Sequence, residues 1–230
     1  YLLLLVSGGH TQIIAILEYG KYSRLSSTLD DAAGETFDKA AKILGIGFPG
    51  GPMIEKMAMS GNPKMFKLPR PMYKSKNTNF SFSGLKTAFN QIVSNSTLDK
   101  NKICDLSASL QKCISDCLVD RTKYAIDQFR TLINENSNIQ LVVAGGVASN
   151  KYIQNELEKL ALTSKIEFHA PPISLCTDNG AMIAWAGYEK YISEGETDLN
   201  FKARPRWPLD PDAHYKNPIH NKIGKSGVKA

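Results

Sequence analysis

Residues 2–28 read LLLLVSGGHTQIIAILEYGKYSRLSST, and this stretch decides the fold. Leu2–Val6 is an unbroken apolar run that ends at Ser7, Gly8 and Gly9, and residues 11–28 then alternate in polarity about a turn at Tyr19–Lys21. A period of two belongs to strands, and small, flexible residues between such runs mark chain reversals. The expectation is a three-stranded meander. Behind it comes DDAAGETFDKAAKILG, residues 30–45, with helical spacing, Asp30 and Asp31 at its start where carboxylates favour the helix dipole, and Gly45 at its end. Strands followed by helices make the chain α/β.

Outward from there, Gly50, Gly51 and Pro52 open a second helix, Pro being tolerated in a first turn. A further helix is expected at GLKTAFNQIV, residues 84–93, and a long amphipathic one over residues 101–134. IQLVVAGGVASNKYIQNELEKLA, residues 139–161, passes from buried strand through Gly145 and Gly146 to helix. KIEFHAP, residues 165–171, is a short strand, and Thr177 is the expected cap of an apolar helix over residues 178–195. After residue 196 the chain is Pro-rich and basic, without period; residues 210–230 read as a flexible tail.

The chain has 230 residues, 42% hydrophobic and 22% charged, enough for one large or two small domains with a core and too ordered a composition for a disordered chain. YLLLLV is far shorter than a membrane span of roughly 20 residues and lacks the basic flank of a signal peptide, so a soluble, cytoplasmic protein is expected. Cys104, Cys113, Cys117 and Cys176 form no CxxC pair, which favours core packing in a reducing compartment over a zinc site. Tyr1 opens the chain inside what reads as a buried strand, so a preceding segment is expected.

Net charge is +6, and no Asp or Glu falls between Glu55 and Asp99. The window 56–98 holds Lys56, Lys64, Lys67, Arg70, Lys74, Lys76 and Lys86 among Phe66, Tyr73, Phe80 and Phe82. That mixture suits phosphate neutralisation and base stacking, and it equally suits a solvated loop surface.

Three places carry possible chemistry. Ser7, Gly8 and Gly9 sit at a strand end, where glycine amides approach an anion freely, or else form a plain hairpin turn. Gly145, Gly146 and Asn150 repeat the arrangement at a second strand end, which suggests a nucleotide between the two turns; Asn150 serves as well as a helix cap. Asp38, seven residues after Asp31, is either a ribose ligand or a solvated charge. Asp178 is a lone carboxylate at a helix start. The histidines at 10, 169, 214 and 220 show neither HxxxH nor HExxH spacing to complete a metal set around it.

LLVSGGHTQ, DDAAGETFDKAAKILG, FPGGP, RPM, FSFSGLKT, VVAGGVASN, CTDNGAMIAWAG and RPRWPL resemble, in this order, the TsaD family of tRNA threonylcarbamoyladenosine synthases, a match that runs from residue 2 to about residue 209. The resemblance implies an actin-like ATPase (ribonuclease H-like) α/β fold, of which residues 1–209 are the second domain with a basic insertion at 56–98. It further implies transfer of a threonylcarbamoyl group from threonylcarbamoyl-AMP to N6 of adenosine 37 in tRNAs that read codons starting with A. Leu5, Val6, Ser7, Gly8 and Gly9 would then face the adenylate phosphate, and Asp38, Gly51, Glu55 and Asn150 its ribose and base. Asp178 would join two histidines of a preceding domain on one divalent ion, Fe²⁺ rather than Zn²⁺; those histidines are not in this sequence. No side chain is expected as nucleophile. Expected partners are tRNA, a pseudo-enzyme paralogue and a small ATPase, with self-association of this chain where a neighbouring domain would cover it. The rival readings are a metal-dependent endopeptidase, which lacks an HExxH helix here, a sugar or acetate kinase on the same fold, and an inactive chain acting only as a binding module.

Overall fold

The structure, a computed structural model, describes residues 1–75, 77–134, 137–176, 179–196, 198, 200, 202 and 207–216. Its frame is a five-stranded sheet in the order β3-β2-β1-β4-β5. Strands β1 (Leu2–Val6), β2 (Thr11–Glu18) and β3 (Lys21–Ser27) form the expected antiparallel meander, in which Leu2 pairs with Ala15 and Val6 with Thr11. On the other side of β1, strands β4 (Gln140–Ala144) and β5 (Glu167–His169) run parallel to it. Parallel neighbours need a long crossover, and here the crossover contains four helices. This mixed sheet, a meander continued by parallel strands, is the actin-like arrangement that the resemblance implies.

The four helices are α1 (Ala33–Leu44), α2 (Gly50–Ala58), α3 (Ser83–Ser94) and α4 (Lys100–Arg130). After β4 come a 3₁₀ turn at Gly146–Ser149, α5 (Lys151–Thr163), β5, α6 (Gly180–Glu194) and the single turn α7 (Ala213–Lys216). Leu2, Leu4 and Val6 of β1 are fully buried and share one core with Phe37 of α1, Ile54 of α2, Phe89 of α3, Leu110 and Ile114 of α4, and Ile153 and Leu157 of α5. Each such side chain contributes about 1.5–3 kcal/mol by leaving water, so the sheet and five helices fold as one cooperative unit.

Helix ends differ from expectation in instructive ways. Helix α1 begins only at Ala33, with Ala32 in the cap position and no side-chain cap, so Asp30 and Asp31 do not cap it. Asp30 instead caps α3: its Oδ1 accepts from the N–H groups of Phe82 (2.7 Å) and Ser83 (3.1 Å), and its Oδ2 from the hydroxyls of Ser81 (2.6 Å) and Ser83 (2.8 Å). Burial alone raises its pKa, but these four bonds outweigh burial and hold it below the usual carboxylate value. Asp31 pairs with Lys86 of α3 at 2.7 Å. Helix α6 is capped by Asn179, whose Oδ1 accepts from Met182 N–H at 2.9 Å; the expected cap Thr177 lies outside the described residues.

The basic window 56–98 contains the end of α2, an irregular strap and, as expected, a helix near its end, α3. The strap runs along α4 and is tied to it at successive turns. Asn62 N–H donates to Asp105 (2.7 Å), Phe66 N–H to the Ser109 hydroxyl (3.2 Å), Arg70 to Asp116 (2.7 Å) and Lys74 N–H to Asp120 (3.0 Å). Arg121, almost completely buried, donates to the Asn77 carbonyl and pairs with Asp120, while its guanidinium lies over the Tyr124 ring. The 31 residues of α4 span about 46 Å, which makes it the spine of this side of the molecule.

Residues 210–216, the start of the stretch read as a flexible tail, are anchored. The Asp210 carboxylate accepts from Arg24 N–H of edge strand β3 at 2.9 Å, and Ala213 is buried. No helix among the described residues is long and apolar enough to cross a membrane.

Candidate functional site

Two glycine turns meet where β1 and β4 end. Gly145, at φ +101°, lies so close to β1 that a Cβ on it would stand 2.3 Å from the Val6 carbonyl oxygen. Both its backbone angle and this approach demand glycine. Gly34, in the first turn of α1, presses on the other glycine turn in the same way: a Cβ there would meet the Ser7 oxygen at 2.5 Å and the Gly8 nitrogen at 2.7 Å. Gly34 N–H also donates to the Ser7 carbonyl at 3.2 Å. Thus the Ser7–Gly9 turn is held between the start of α1 and the end of β4.

The turn itself is less of an anion nest than its sequence promises. The Ser7 hydroxyl folds back and accepts from the N–H groups of Gly9 (3.2 Å) and His10 (3.0 Å). That leaves the exposed Gly8 N–H as the amide of the turn that no hydrogen bond among the described residues uses. Leu5 and Val6 remain within β1, with Val6 fully buried, so they position the turn through the strand.

The other candidates are wired to one another by bonds that cross between helices. Asp38 on α1 accepts from Gly50 N–H at the start of α2 (2.8 Å), which places Gly51 next in line with open space around its α-carbon. Glu55, one turn along α2, accepts from Lys151 N–H at the start of α5 (2.7 Å). Asn150 caps α5, its Oδ1 accepting from Ile153 N–H (3.0 Å), and its Nδ2 donates to Gln111 Oε1 of α4 (2.8 Å). Asn150 and Gln111 are both buried. From β1 through α1, α2 and α5 to Gly145 and back to β1, these contacts close a ring. Of the expected contact residues, Val6, Ser7, Gly8, Asp38, Glu55 and Asn150 make these contacts, and Leu5, Gly9 and Gly51 adjoin ring residues in the chain.

Chemically, the ring offers acceptors and donors without a nucleophile. Asp38, Glu55 and Asn150 each spend one oxygen on a helix start, and each carboxylate keeps a second oxygen that no bond above uses. Asp178 lies outside the described residues. Among those described, no three or more His, Cys, Asp or Glu side chains converge on a point that would hold a metal ion. The thiols are buried and unpaired. A hydrogen bond with Cys113 and burial both push the Cys117 thiol up, and burial raises that of Cys176, so neither is an activated nucleophile.

Beside the ring runs an open groove of about 570 Å³, a size suited to a small ligand. It starts at Gly8 and Asp38, follows α1 past Glu35, Lys39 and Lys42, and ends at Gly45, Gly47 and Phe48. Neither Lys42 nor Phe48 stands out in the sequence as a site residue, and neither does Gln111. The first two are exposed in an ordinary helix–loop–helix stretch, and Gln111 hides in the polar pattern of a long helix. Of the basic residues in the window, Arg70 and Lys86 are consumed by Asp116 and Asp31, whereas Lys56, Lys64, Lys67 and Lys74 remain exposed.

Residues 2–185 match the family model described as TsaD, tRNA N6-adenosine threonylcarbamoyltransferase. Curated relatives bearing the name tRNA N6-adenosine threonylcarbamoyltransferase include one from Brucella anthropi, 50% identical over 91% of this chain and 59% of the relative. Those from Zymomonas mobilis (48%) and Rhodospirillum rubrum (47%) are matched over 100% of this chain and 60% and 62% of their own lengths. The chain thus spans about three fifths of the relatives it matches. Among solved structures, the activator of the 2-hydroxyisocaproyl-CoA dehydratase from Clostridium difficile with bound ADPNP aligns with a TM-score of 0.44 at 16% identity, over 88% of this chain and 65% of that one.

Proposed function

The chain belongs to the TsaD family, and on that premise we propose that it supplies one wall of a site where threonylcarbamoyl-AMP donates its acyl group to N6 of adenosine 37 in tRNAs that read codons starting with A. In the reaction a bond forms between N6 and the carbamoyl carbon, the bond from that carbon to the phosphate oxygen breaks, AMP leaves and N6 gives up one proton. The mixed anhydride is already activated, so catalysis rests on bringing amine and carbonyl together, a task worth several powers of ten in rate. The ring's lack of an activated nucleophile suits this chemistry.

The observation that supports the reading is the ring of cross-helix bonds, which links Asp38, Glu55 and Asn150 to the glycine turns at the carboxyl ends of two parallel strands, where open α/β sheets bind ligands. In this reading the Gly8 N–H meets the adenylate phosphate, and the unused oxygens of Asp38 and Glu55 meet ribose hydroxyls. Asn150 turns its second Nδ2 hydrogen to the nucleoside. The reading routes no step through a metal. A divalent iron or zinc ion on Asp178 is a separate proposal, tested by metal analysis of the purified protein with and without Asp178→Ala. The exposed Lys56, Lys64, Lys67 and Lys74 are proposed contacts for tRNA, alongside the exposed Trp207 and Arg204 and Arg206, the last two of which lie outside the described residues. A pseudo-enzyme paralogue and a small ATPase are the proposed protein partners.

Calorimetric titration with a stable threonylcarbamoyl-adenylate analogue tests the reading. The wild type binds, and Asn150→Asp, which keeps the Oδ1 cap on α5 and removes the amide donor, weakens binding about tenfold, the worth of one buried hydrogen bond. No binding by a folded wild type, or equal binding by Asn150→Asp, overturns it.

A further inference from the structure

The groove along α1 does not belong to the adenylate ring as a whole. It shares Gly8 and Asp38 with that ring, but Gly51, Glu55 and Asn150 do not line it; its remaining wall is Glu35, Lys39, Lys42, Gly45, Gly47 and Phe48. A ligand that fills the ring therefore leaves the outer half of the groove unfilled.

That outer half has an unusual wall. The Phe48 ring is 83% exposed, although an aromatic side chain gains its stability from burial. Gly45 and Gly47 beside it carry no side chain, and the space where a Cβ would stand is open at both, so a flat group can slide over the backbone. The charges are sorted as well. Glu35 is neutralised by Lys39 at 2.7 Å, and Asp38 is bonded to Gly50 N–H. Lys42, exposed in the last turn of α1, has no carboxylate within ion-pair distance among the described residues.

One aromatic platform, a bare backbone floor and one spare cation are the set that holds a single stacked base with its phosphate. We infer that the outer groove is an RNA subsite, in which one base of a single-stranded loop stacks on Phe48 and its phosphate meets Lys42. The inference rests on the function proposed above, because it is the acyl acceptor, a nucleotide within RNA, that has to reach the adenylate from one side. A duplex is excluded by chemistry: its bases are stacked on each other and offer no free face, whereas unpaired loop bases are splayed out and stack on aromatic side chains.

A short RNA hairpin with 2-aminopurine at a loop adenosine reads the contact directly, since stacking on Phe48 quenches its fluorescence. The wild type quenches and binds it. Phe48→Ala relieves the quench and weakens RNA binding about tenfold, and Phe48→Trp restores both. Lys42→Ala weakens RNA binding by a smaller factor and lowers the slope of log affinity against log salt by about one. In all three variants the affinity for the adenylate analogue is that of the wild type. If Phe48→Ala weakens the adenylate analogue instead, the groove is an extension of the adenylate pocket and the inference falls. If it changes neither ligand, Phe48 is plain surface and the inference falls too. A wild type that binds RNA but not the analogue overturns the proposed function, and one that binds the analogue but not RNA overturns only the subsite.

Discussion

Helices α4 and α6 invert what their sequences suggest. Helix α4 carries lysines, aspartates, serines and glutamines throughout, yet more than half of its residues are buried. Helix α6, with Met182, Ile183, Trp185, Tyr188, Tyr191 and Ile192, is far more apolar and buries none. The difference lies in what each helix finds opposite it. The polar groups of α4 meet the amides, carbonyls and cations of the strap at 62–77, and its apolar face meets the sheet and α2. Among the described residues, the side-chain link from α6 to the rest of the fold is a 3.4 Å bond from the Tyr19 hydroxyl to Glu194. Composition tells how much a helix has to hide; only the neighbours decide whether it does.

Truncating one apolar residue of each helix tests this contrast with the largest effect. Leu110→Ala in α4 should cost about 2–5 kcal/mol of stability in urea unfolding, whereas Ile183→Ser in α6 should change it by no more than about 0.5 kcal/mol. The same Ile183→Ser, combined with Trp185→Ser, should shift sedimentation towards monomer, since a bare apolar helix of this length favours association. A large stability loss from Ile183→Ser breaks the comparison, because it means that α6 is packed in solution.

A middle-sized effect belongs to Asp30, whose carboxylate ties α3 to the end of the meander. Asp30→Asn should cost about 1–3 kcal/mol at neutral pH, as donors are left facing an amide. Because the folded state holds this pKa below its unfolded value, the contribution is complete above the ordinary carboxylate pKa of 3.8 and fades as pH falls through the lowered value. The stability gap between wild type and Asp30→Asn should thus narrow below about pH 4, and a gap that stays constant shows that Asp30 is not the titrating group.

The smallest effect sharpens the picture of α4. Cys113 and Cys117, buried under the strap with their thiols donating to the carbonyls of Pro69 and Pro71, should resist a thiol reagent in the native state. Cys176, close to the start of α6, should react first. Mass spectrometry of the partly labelled protein gives the order, and early labelling of Cys113 places the strap among the loosely held segments.

These contrasts also show what the sequence makes legible. The meander, α5 with its Asn150 cap, and Gly45 at the end of α1 follow from local pattern because their partners are adjacent in the chain. Asp30 and Asp31 read as carboxylates that favour the dipole of the nearest helix, but their donors sit about fifty residues away at α3, where local reasoning does not reach. The two glycine turns were readable as candidate ligand turns, although the Ser7 hydroxyl that satisfies two of the amides depends on a side-chain rotamer. Asp116 and Asp120, four apart on one face of α4, were a readable sign that the basic window has an internal partner. The groove and Gln111 were not readable, since each exists only through packing between separate elements.

The cross-helix ring has one more consequence. Asp38, Glu55 and Asn150 act as rivets between helices and as the proposed grips on a ligand at once, so a ligand that takes their spare atoms shares each side chain with a helix start. A ligand that claimed Asp38 Oδ1 would strand the first amide of α2, and the helix would have to answer by moving. Occupancy that spares Oδ1 therefore leaves the rivet in place, and the seat of α2 registers any that does not.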